Sequence, residues 1–469
     1  MIYLLLYGIV IANEQITLIN NVQVASMEKA QVSFKKMSLW QVVIIGVAYM
    51  TPMVVFDTFG IVSGITDGRV PLAYILALVA MLLTAFSYAR FSRQTEKPGS
   101  AYSYTSEACG NKAGFFVGWC ALMDYILLPL VNALLAGIYL EALMPSIPYW
   151  VWVCIFTALV TLINCFRINI LANLSVVFVV APLILMLLFI YLVIKGIGTE
   201  QGYTHVLTMT PLFNGDTSLL PLIAGASILC FSFLGFDAVT TMSHETKDPK
   251  KNIPRAVMLT TLTGGVIFFS ASWFIQLYFP TNVRFNNPDE ALPEIVMYVG
   301  GALFQAVFLC AQIMNTFASG LATHASASRL IHIMGRDGIF HKGTFGRIHG
   351  KLGTPMYAVL TMGIISLMAI FLDLATVVSM VSFGALIAFT AVNFSVFAKF
   401  YIHDGQRAGL KNKVLNLLLP LLSVGVMLGL WVNLERTALV CGCIWFVIGL
   451  MLYVYKRLRK QEIIMSNAY

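Results

Sequence analysis

Three carboxylates sit inside long apolar runs of this chain, at Asp57, Asp124 and Asp237. Holding an ionised side chain at the centre of a bilayer costs ~2.5 kcal/mol or more on insertion scales, so each is read as a contact for a cation or a carrier of protons. Asp57 and Asp237 each follow an interruption. In Gly46-Val47-Ala48-Tyr49-Met50-Thr51-Pro52-Met53 the proline removes a backbone donor and clashes with the preceding turn. In Cys230-Phe231-Ser232-Phe233-Leu234-Gly235-Phe236-Asp237 a glycine stands close to an acid. Amides and carbonyls freed at such breaks are tolerable at membrane depth only where they line a cavity. The chemistry these residues suit is recognition of a cation with two ammonium ends, held by carboxylates or carbonyls, with aromatic rings packing its methylenes. Tyr49, Met50, Thr51, Tyr125, Phe231, Ser232, Phe233 and Phe236 complete that candidate lining, and Asn315 and Ser382 are further polar candidates. For Asp237 the competing role is stabilisation of the break itself. For Asp57 and Asp124 it is pairing with a neighbouring helix or a place near the outer surface, and any single aromatic ring is equally at home in packing.

The elements that must hold these residues are read from hydropathy. Apolar residues make up 59% of the 469 positions and charged ones 11%, far from the composition of soluble domains. The chain is expected to be an all-α polytopic membrane protein. Windows of about 20 apolar residues predict twelve transmembrane helices, at 39–65, 70–91, 114–143, 151–165, 171–194, 219–242, 256–279, 301–331, 355–372, 377–400, 414–431 and 437–455. The two interruptions fall in the first and sixth, matched positions in a five-plus-five inverted repeat that leaves helices eleven and twelve as additions. Twelve spans starting inside put both termini in the cytoplasm. The charges agree, because the outer side keeps only Arg69, Lys195, Arg284 and Arg436 while the other basic residues fall in inner connections. Glu200, Asp216, Asp289, Glu290 and Glu294 in the two longest outer connections form either an acidic vestibule that concentrates cations or an ordinary solvated face.

The domain plan is a cytoplasmic leader over 1–38, a single transporter domain over 39–460 and a cytoplasmic tail over 461–469. The apolar run at 1–12 is too short to cross ~30 Å of hydrocarbon and lacks the basic flank of a signal peptide. Met27 precedes Lys29, Lys35 and Lys36, so translation is expected to start there, with 1–26 an artefact of start-site choice.

Gly235-Phe236-Asp237-Ala238-Val239, followed by Glu245, Pro249, Asn252-Ile253-Pro254 and Ala256, resembles the sixth-helix signature of amino acid–polyamine–organocation transporters. So does Pro98-Gly99-Ser100-Ala101-Tyr102-Ser103-Tyr104 ahead of Gly114-Phe115 and Gly118-Trp119. The likeness runs from about Ser38 to Arg459. Thr51-Pro52-Met53, Phe56-Asp57-Thr58-Phe59-Gly60-Ile61-Val62-Ser63-Gly64 and Met334-Gly335-Arg336-Asp337 are most similar to the bacterial putrescine-importing branch. The resemblance implies proton-motive import of a small cationic amine, putrescine first, across a bacterial cytoplasmic membrane, with Asp237 and Glu245 as coupling candidates. An amino acid importer or a putrescine/amino acid exchanger on the same fold are the alternatives it leaves.

Two departures from the wider family bear on this. Amino acid carriers usually carry Gly-Ser-Gly in the first break, whose bare amides meet a substrate carboxylate at a half-helix N-terminus. Tyr49-Met50-Thr51-Pro52 weakens such capture and suits an amine without a carboxylate. Pro182 stands where some proton-coupled relatives carry a lysine, which leaves the coupling route open. A sodium site from Ser319, Thr323 and first-break carbonyls is the alternative to proton coupling, set against hydroxyls bonded to their own helix.

Other classes find little support. The net charge of +8 comes from short connections, with no basic stripe for nucleic acid. Eight cysteines show no Cys-x-x-Cys pair, His244-Glu245 lacks the second histidine of a zinc-protease helix, and no phosphate-binding loop is present, so neither cofactor nor resident metal is expected. A channel would need a continuous polar stripe and an intramembrane enzyme a nucleophile–base pair; neither pattern occurs. Monomer and homodimer are both compatible with the sequence.

Overall fold

The computed structural model describes residues 36–94, 99–166, 175–196, 208–213, 218–280, 285–336, 338–349 and 352–458. The start-site expectation, the leader up to 35, the tail, Pro98, Arg284, Glu200, Asp216 and Asp337 lie outside these residues. Within them the chain is helical, apart from turns and a single isolated bridge between Met37 and Thr246.

Ser38 opens α1 (Leu39–Tyr49) with a capping box to Gln41. The helix stops at the proline as expected: Thr51 takes φ +43°, and α2 (Val54–Thr66) leaves at 49° to α1. Asp67 in the left-handed region ends α2, and α3 (Val70–Ser92) starts with Pro71 in its first turn, where a missing donor costs nothing. A short helix absent from the hydropathy reading follows: α4 (Ala101–Cys109), capped by Ser100 through Ser103. Gly110 then turns the chain into α5 (Asn111–Leu143), the long third span. The fourth and fifth spans are α6 (Tyr149–Cys165) and α7 (Ser175–Gly196).

The sixth span is in pieces. It starts as α8 (Leu219–Leu229), tightens into a 3-10 turn (Cys230–Phe233), turns at Gly235 with φ +107°, and resumes as a second 3-10 segment (Asp237–Glu245). Span seven is α9 (Pro249–Tyr278). In α10 (Ala291–Arg336), Gly301 at φ +73° and ψ −178° breaks the helix where the eighth span was expected to start. The remainder are α11 (Met356–Ser366) with a 3-10 end to Ile370, α12 (Leu374–Val396) with a π-helical extension to His403, the short α13 (Gly409–Lys413), α14 (Leu419–Val432) and α15 (Arg436–Leu458).

Among the described residues, eight helices are long and apolar enough to cross a membrane, α1 with α2 makes one bent span, and three shorter apolar helices bring the number to the expected twelve. The most extensive packing joins α3 to α9 and α5 to α10, which are spans two with seven and three with eight. Partners five spans apart are what a five-plus-five repeat brings together about its axis. The outermost helices follow the same logic: on α15, Val440, Ile444, Val447 and Met451 are exposed, a surface made for hydrocarbon.

Basic residues gather at one end. There Arg90 donates to Gln406 Oε1 (2.9 Å) and Asn416 Oδ1 (3.2 Å), Lys399 pairs with Glu107, and Lys456 donates to the Gly338 carbonyl. At the same end the Met37 amide donates to Glu245 O (2.7 Å) and Lys247 N to Met37 O (2.9 Å), so the segment leading into α1 is tied to the end of span six.

Candidate functional site

The two interruptions meet. A Cβ on Gly235 would lie 2.9 Å from the Cβ of Tyr49 and 3.2 Å from its carbonyl carbon and oxygen, so the turn of span six rests on the backbone at the end of α1. One side chain at 235 would push the halves apart. A Cβ on Gly46 would likewise come within 2.7 Å of Val239 and Thr260, which brings α1 against the second half of span six and against α9.

Asp237 is the first residue of that second half, just after the turn at Gly235, whose carbonyl accepts from the Ala238 amide (3.1 Å). Its carboxylate faces the amides of Gly235, Asp237 and Ala238, in the position a half-helix N-terminus offers to negative charge. The role that competed with ligand binding for Asp237, stabilisation of the break, is thus met by these amides. Tyr88 of α3 reaches the same place, with its buried hydroxyl facing the Asp237 carboxylate. Hydropathy gave no reason to select Tyr88 from the other residues of α3.

Asp124 comes to this group from α5. It lies in the electrostatic field of Asp237, and its Oδ1 is buried with no hydrogen-bond partner. Gly384 makes the close approach of α12 possible here, since a Cβ would stand 2.6 Å from Cys120 O and 3.5 Å from the Asp124 amide. Tyr125 lies in the field of Tyr88, and Phe236 packs edge-on to Tyr88 (5.7 Å between centroids) and tilted on Phe389 (5.3 Å). Two carboxylates from different helices thus share an aromatic surround. Among the described residues, no lysine or arginine is among the charges acting on either acid.

Asp57 stands apart from this pair. It is buried on α2, accepting from the Tyr139 hydroxyl of α5 and from Gln312 Nε2 of α10, at 3.2 and 3.4 Å. It is not among the charges acting on Asp124 or Asp237. Pairing with neighbouring helices, one of the two alternatives the sequence offered for it, is thus satisfied. Beside it Ser232 shares a hydrogen bond with Tyr74 (3.1 Å), and Tyr74 lies 3.5 Å from Thr58, which links spans six, two and one.

The other candidates distribute as follows. Tyr49 is exposed at the end of α1 and Thr51 forms the strained turn. Met50 is buried with its thioether against Gly264 of α9, and Phe233 packs edge-on to Phe268 of α9 (5.3 Å), so both serve helix packing. Phe231 is buried in the core. Asn315 is half-buried on α10, and Ser382 of α12 is buried with an unpartnered hydroxyl. Glu245 is exposed at the opposite end of the second 3-10 segment from Asp237. The Thr323 hydroxyl donates to Ser319 O (2.8 Å) and lies 3.5 Å from the Asn132 amide, which commits it to its own helix and to α5.

A family model described as amino acid permease matches residues 3–462. The low-affinity putrescine importer PlaP of Escherichia coli (strain K12) is 45% identical over 417 residues, 89% of this chain and 92% of that protein. The methylthioribose transporter of Bacillus subtilis (strain 168) is 25% identical over 454 residues, covering 92% of this chain and 96% of its own length. Cationic amino acid transporter 4 of Mus musculus is 26% identical over 355 residues, 69% of this chain and 53% of that protein. With a permease match over almost its full length and two broken helices meeting at an acidic centre, the chain belongs to the amino acid permease family of multi-pass membrane transporters and is not an enzyme.

Proposed function

We propose that the chain imports a small cationic amine, putrescine or a close diamine, across a bacterial cytoplasmic membrane by alternating access driven by the proton gradient. The observation that carries this reading is the Asp124–Asp237 pair, two acids at membrane depth with an unpartnered carboxylate oxygen on Asp124 and, among the described residues, no cation acting on them. Ammonium groups supply the missing donors and charge, and the rings of Tyr88, Tyr125 and Phe236 suit a methylene chain and a cation at once. The first break favours an amine over an amino acid. The Thr51 amide is committed to Ala48 O (3.1 Å), Pro52 has none, and the Val54 amide is committed to Thr51 O (2.9 Å), which leaves few donors for a substrate carboxylate. The 45% identity to a putrescine importer supports the same substrate. The basic end of the bundle is taken as cytoplasmic, with both termini there.

The test is uptake of labelled putrescine into vesicles reconstituted with the purified protein, with proton and sodium gradients imposed separately. Diamines are expected to compete, amino acids to leave uptake unchanged, and the proton gradient alone to drive accumulation. Equal competition by lysine or ornithine would establish amino acid transport instead, and drive by sodium alone would remove the proton from the account.

A further inference from the structure

We propose that Asp57 is the proton-carrying residue of the transport cycle: a proton from the outer aqueous phase adds to its carboxylate and so permits the outer half of span one to close against α5 and α10. This rests on the reading of the chain as a proton-driven importer.

Asp57 lies on α2, the half-helix that leaves the strained turn at Thr51 at an angle of 49° to α1. Its partners lie on two other long helices, Tyr139 of α5 and Gln312 of α10, so any swing of α2 must break this cluster. All the donors are neutral. The ionisable groups facing Asp57 are Tyr139 from α5 and Tyr74 from α3; among the described residues, α8, α9 and the Pro288–Glu290 turn, also packed on α2, place no charge in its field.

The second observation is an orphan. Gln312 reaches both carboxylate oxygens through Nε2, yet its own Oε1 is buried with no donor. An ionised carboxylate has no hydrogen to give to that oxygen; a carboxylic acid has one. With a proton on Oδ2, acid and carboxamide form two complementary bonds, acid O–H to amide oxygen and amide N–H to acid oxygen, while Tyr139 continues to donate to Oδ1. The neutral form thus offers Gln312 Oε1 the donor it lacks, whereas the ionised form leaves that buried acceptor unpaired and, among the described residues, a charge without a counter-ion. When α2 swings outward, the carboxyl group loses Tyr139 and Gln312 and gains water, which favours ionisation. Only a proton moves, between water and Oδ2.

The experiment uses the full-length protein in proteoliposomes. It measures gradient-free counterflow of labelled putrescine, proton-gradient-driven accumulation, and putrescine-dependent proton entry by an internal pH dye. Asp57→Asn, which keeps an amide–amide pair with Gln312 but binds no proton, is expected to retain counterflow, lose accumulation above the gradient-free level and lose proton entry. Gln312→Met, a second variant in case the first does not fold, is expected to show the same split as a several-fold fall in accumulation with counterflow kept. Accumulation and proton entry at the parent's level in Asp57→Asn would overturn the inference. So would loss of counterflow in an Asp57→Asn protein that elutes as a folded species, since the side chain would then serve binding or the fold itself. Absence of putrescine counterflow in the parent would instead overturn the transport reading on which this rests.

Discussion

Replacing Gly235 by alanine tests the contact on which the central site depends. At φ +107° the residue occupies a region that side-chain-bearing residues rarely enter, at a cost of ~1–3 kcal/mol. The added methyl would also stand 2.9 Å from Tyr49 Cβ and 3.2 Å from Tyr49 carbonyl atoms, which are backbone and yield little. Forcing a methyl into such a space adds ~1–3 kcal/mol. The sum, about 2–6 kcal/mol, is a large part of a typical total stability of roughly 5–15 kcal/mol. Two other glycines separate the components. Gly301 has φ +73° but open space around its missing side chain, so Gly301→Ala should incur only the conformational cost of ~1–3 kcal/mol. Gly429 lies inside α14, also with open space, and its alanine variant should gain up to ~1 kcal/mol from helix propensity. Thermal unfolding of the detergent-solubilised protein, followed by the loss of the monodisperse elution peak, should rank Gly235→Ala lowest, Gly301→Ala next, and Gly429→Ala at or above the parent. Putrescine uptake by Gly235→Ala should fall as well, because relieving the clash displaces the end of α1 from the turn before Asp237. A Gly235→Ala protein that melts with the parent and transports at its rate would refute the close contact between the two breaks.

Other outcomes follow from the same geometry. Asp237→Asn should abolish putrescine uptake while leaving protein in the membrane. Asp124→Asn should raise the half-saturating concentration by on the order of 10- to 100-fold, the equivalent of a lost charge-assisted bond of ~1.5–3 kcal/mol. Undiminished uptake by both variants would dismiss the carboxylate pair. Trp119 and Trp445 stack at 4.8 Å and each donates its indole N–H to the other's carbonyl at 2.8 Å, which joins α15 to α5. Trp445→Phe should therefore lower stability by ~1–3 kcal/mol with substrate affinity unchanged, as read by melting and uptake side by side.

Much of this molecule was legible in its order of residues, for a plain reason. In hydrocarbon a backbone must satisfy its own hydrogen bonds, so apolar stretches of spanning length become helices whatever surrounds them, and a proline or an acid within one is conspicuous. Hence the twelve spans, the breaks at Thr51-Pro52 and Gly235, and Asp57, Asp124 and Asp237 as the acids to watch were all visible before any fold. Helix α4 was not, since its nine residues are too few and too polar to register as a span, and its start depends on the Ser100 cap.

Which face of each helix meets which neighbour was decided only by tertiary packing. Inside a membrane protein both buried and lipid-facing sides are apolar, so periodicity carries little of the information that it does in water. Met50 and Phe233 thus looked like site residues and turned out to pack on α9, while Tyr88, unmarked in sequence, came to face Asp237. The separation of Asp57 from the other acids was likewise invisible. Its partners Tyr139 and Gln312 lie 82 and 255 positions away along the chain, and nothing local in the sequence could bring them to one carboxylate.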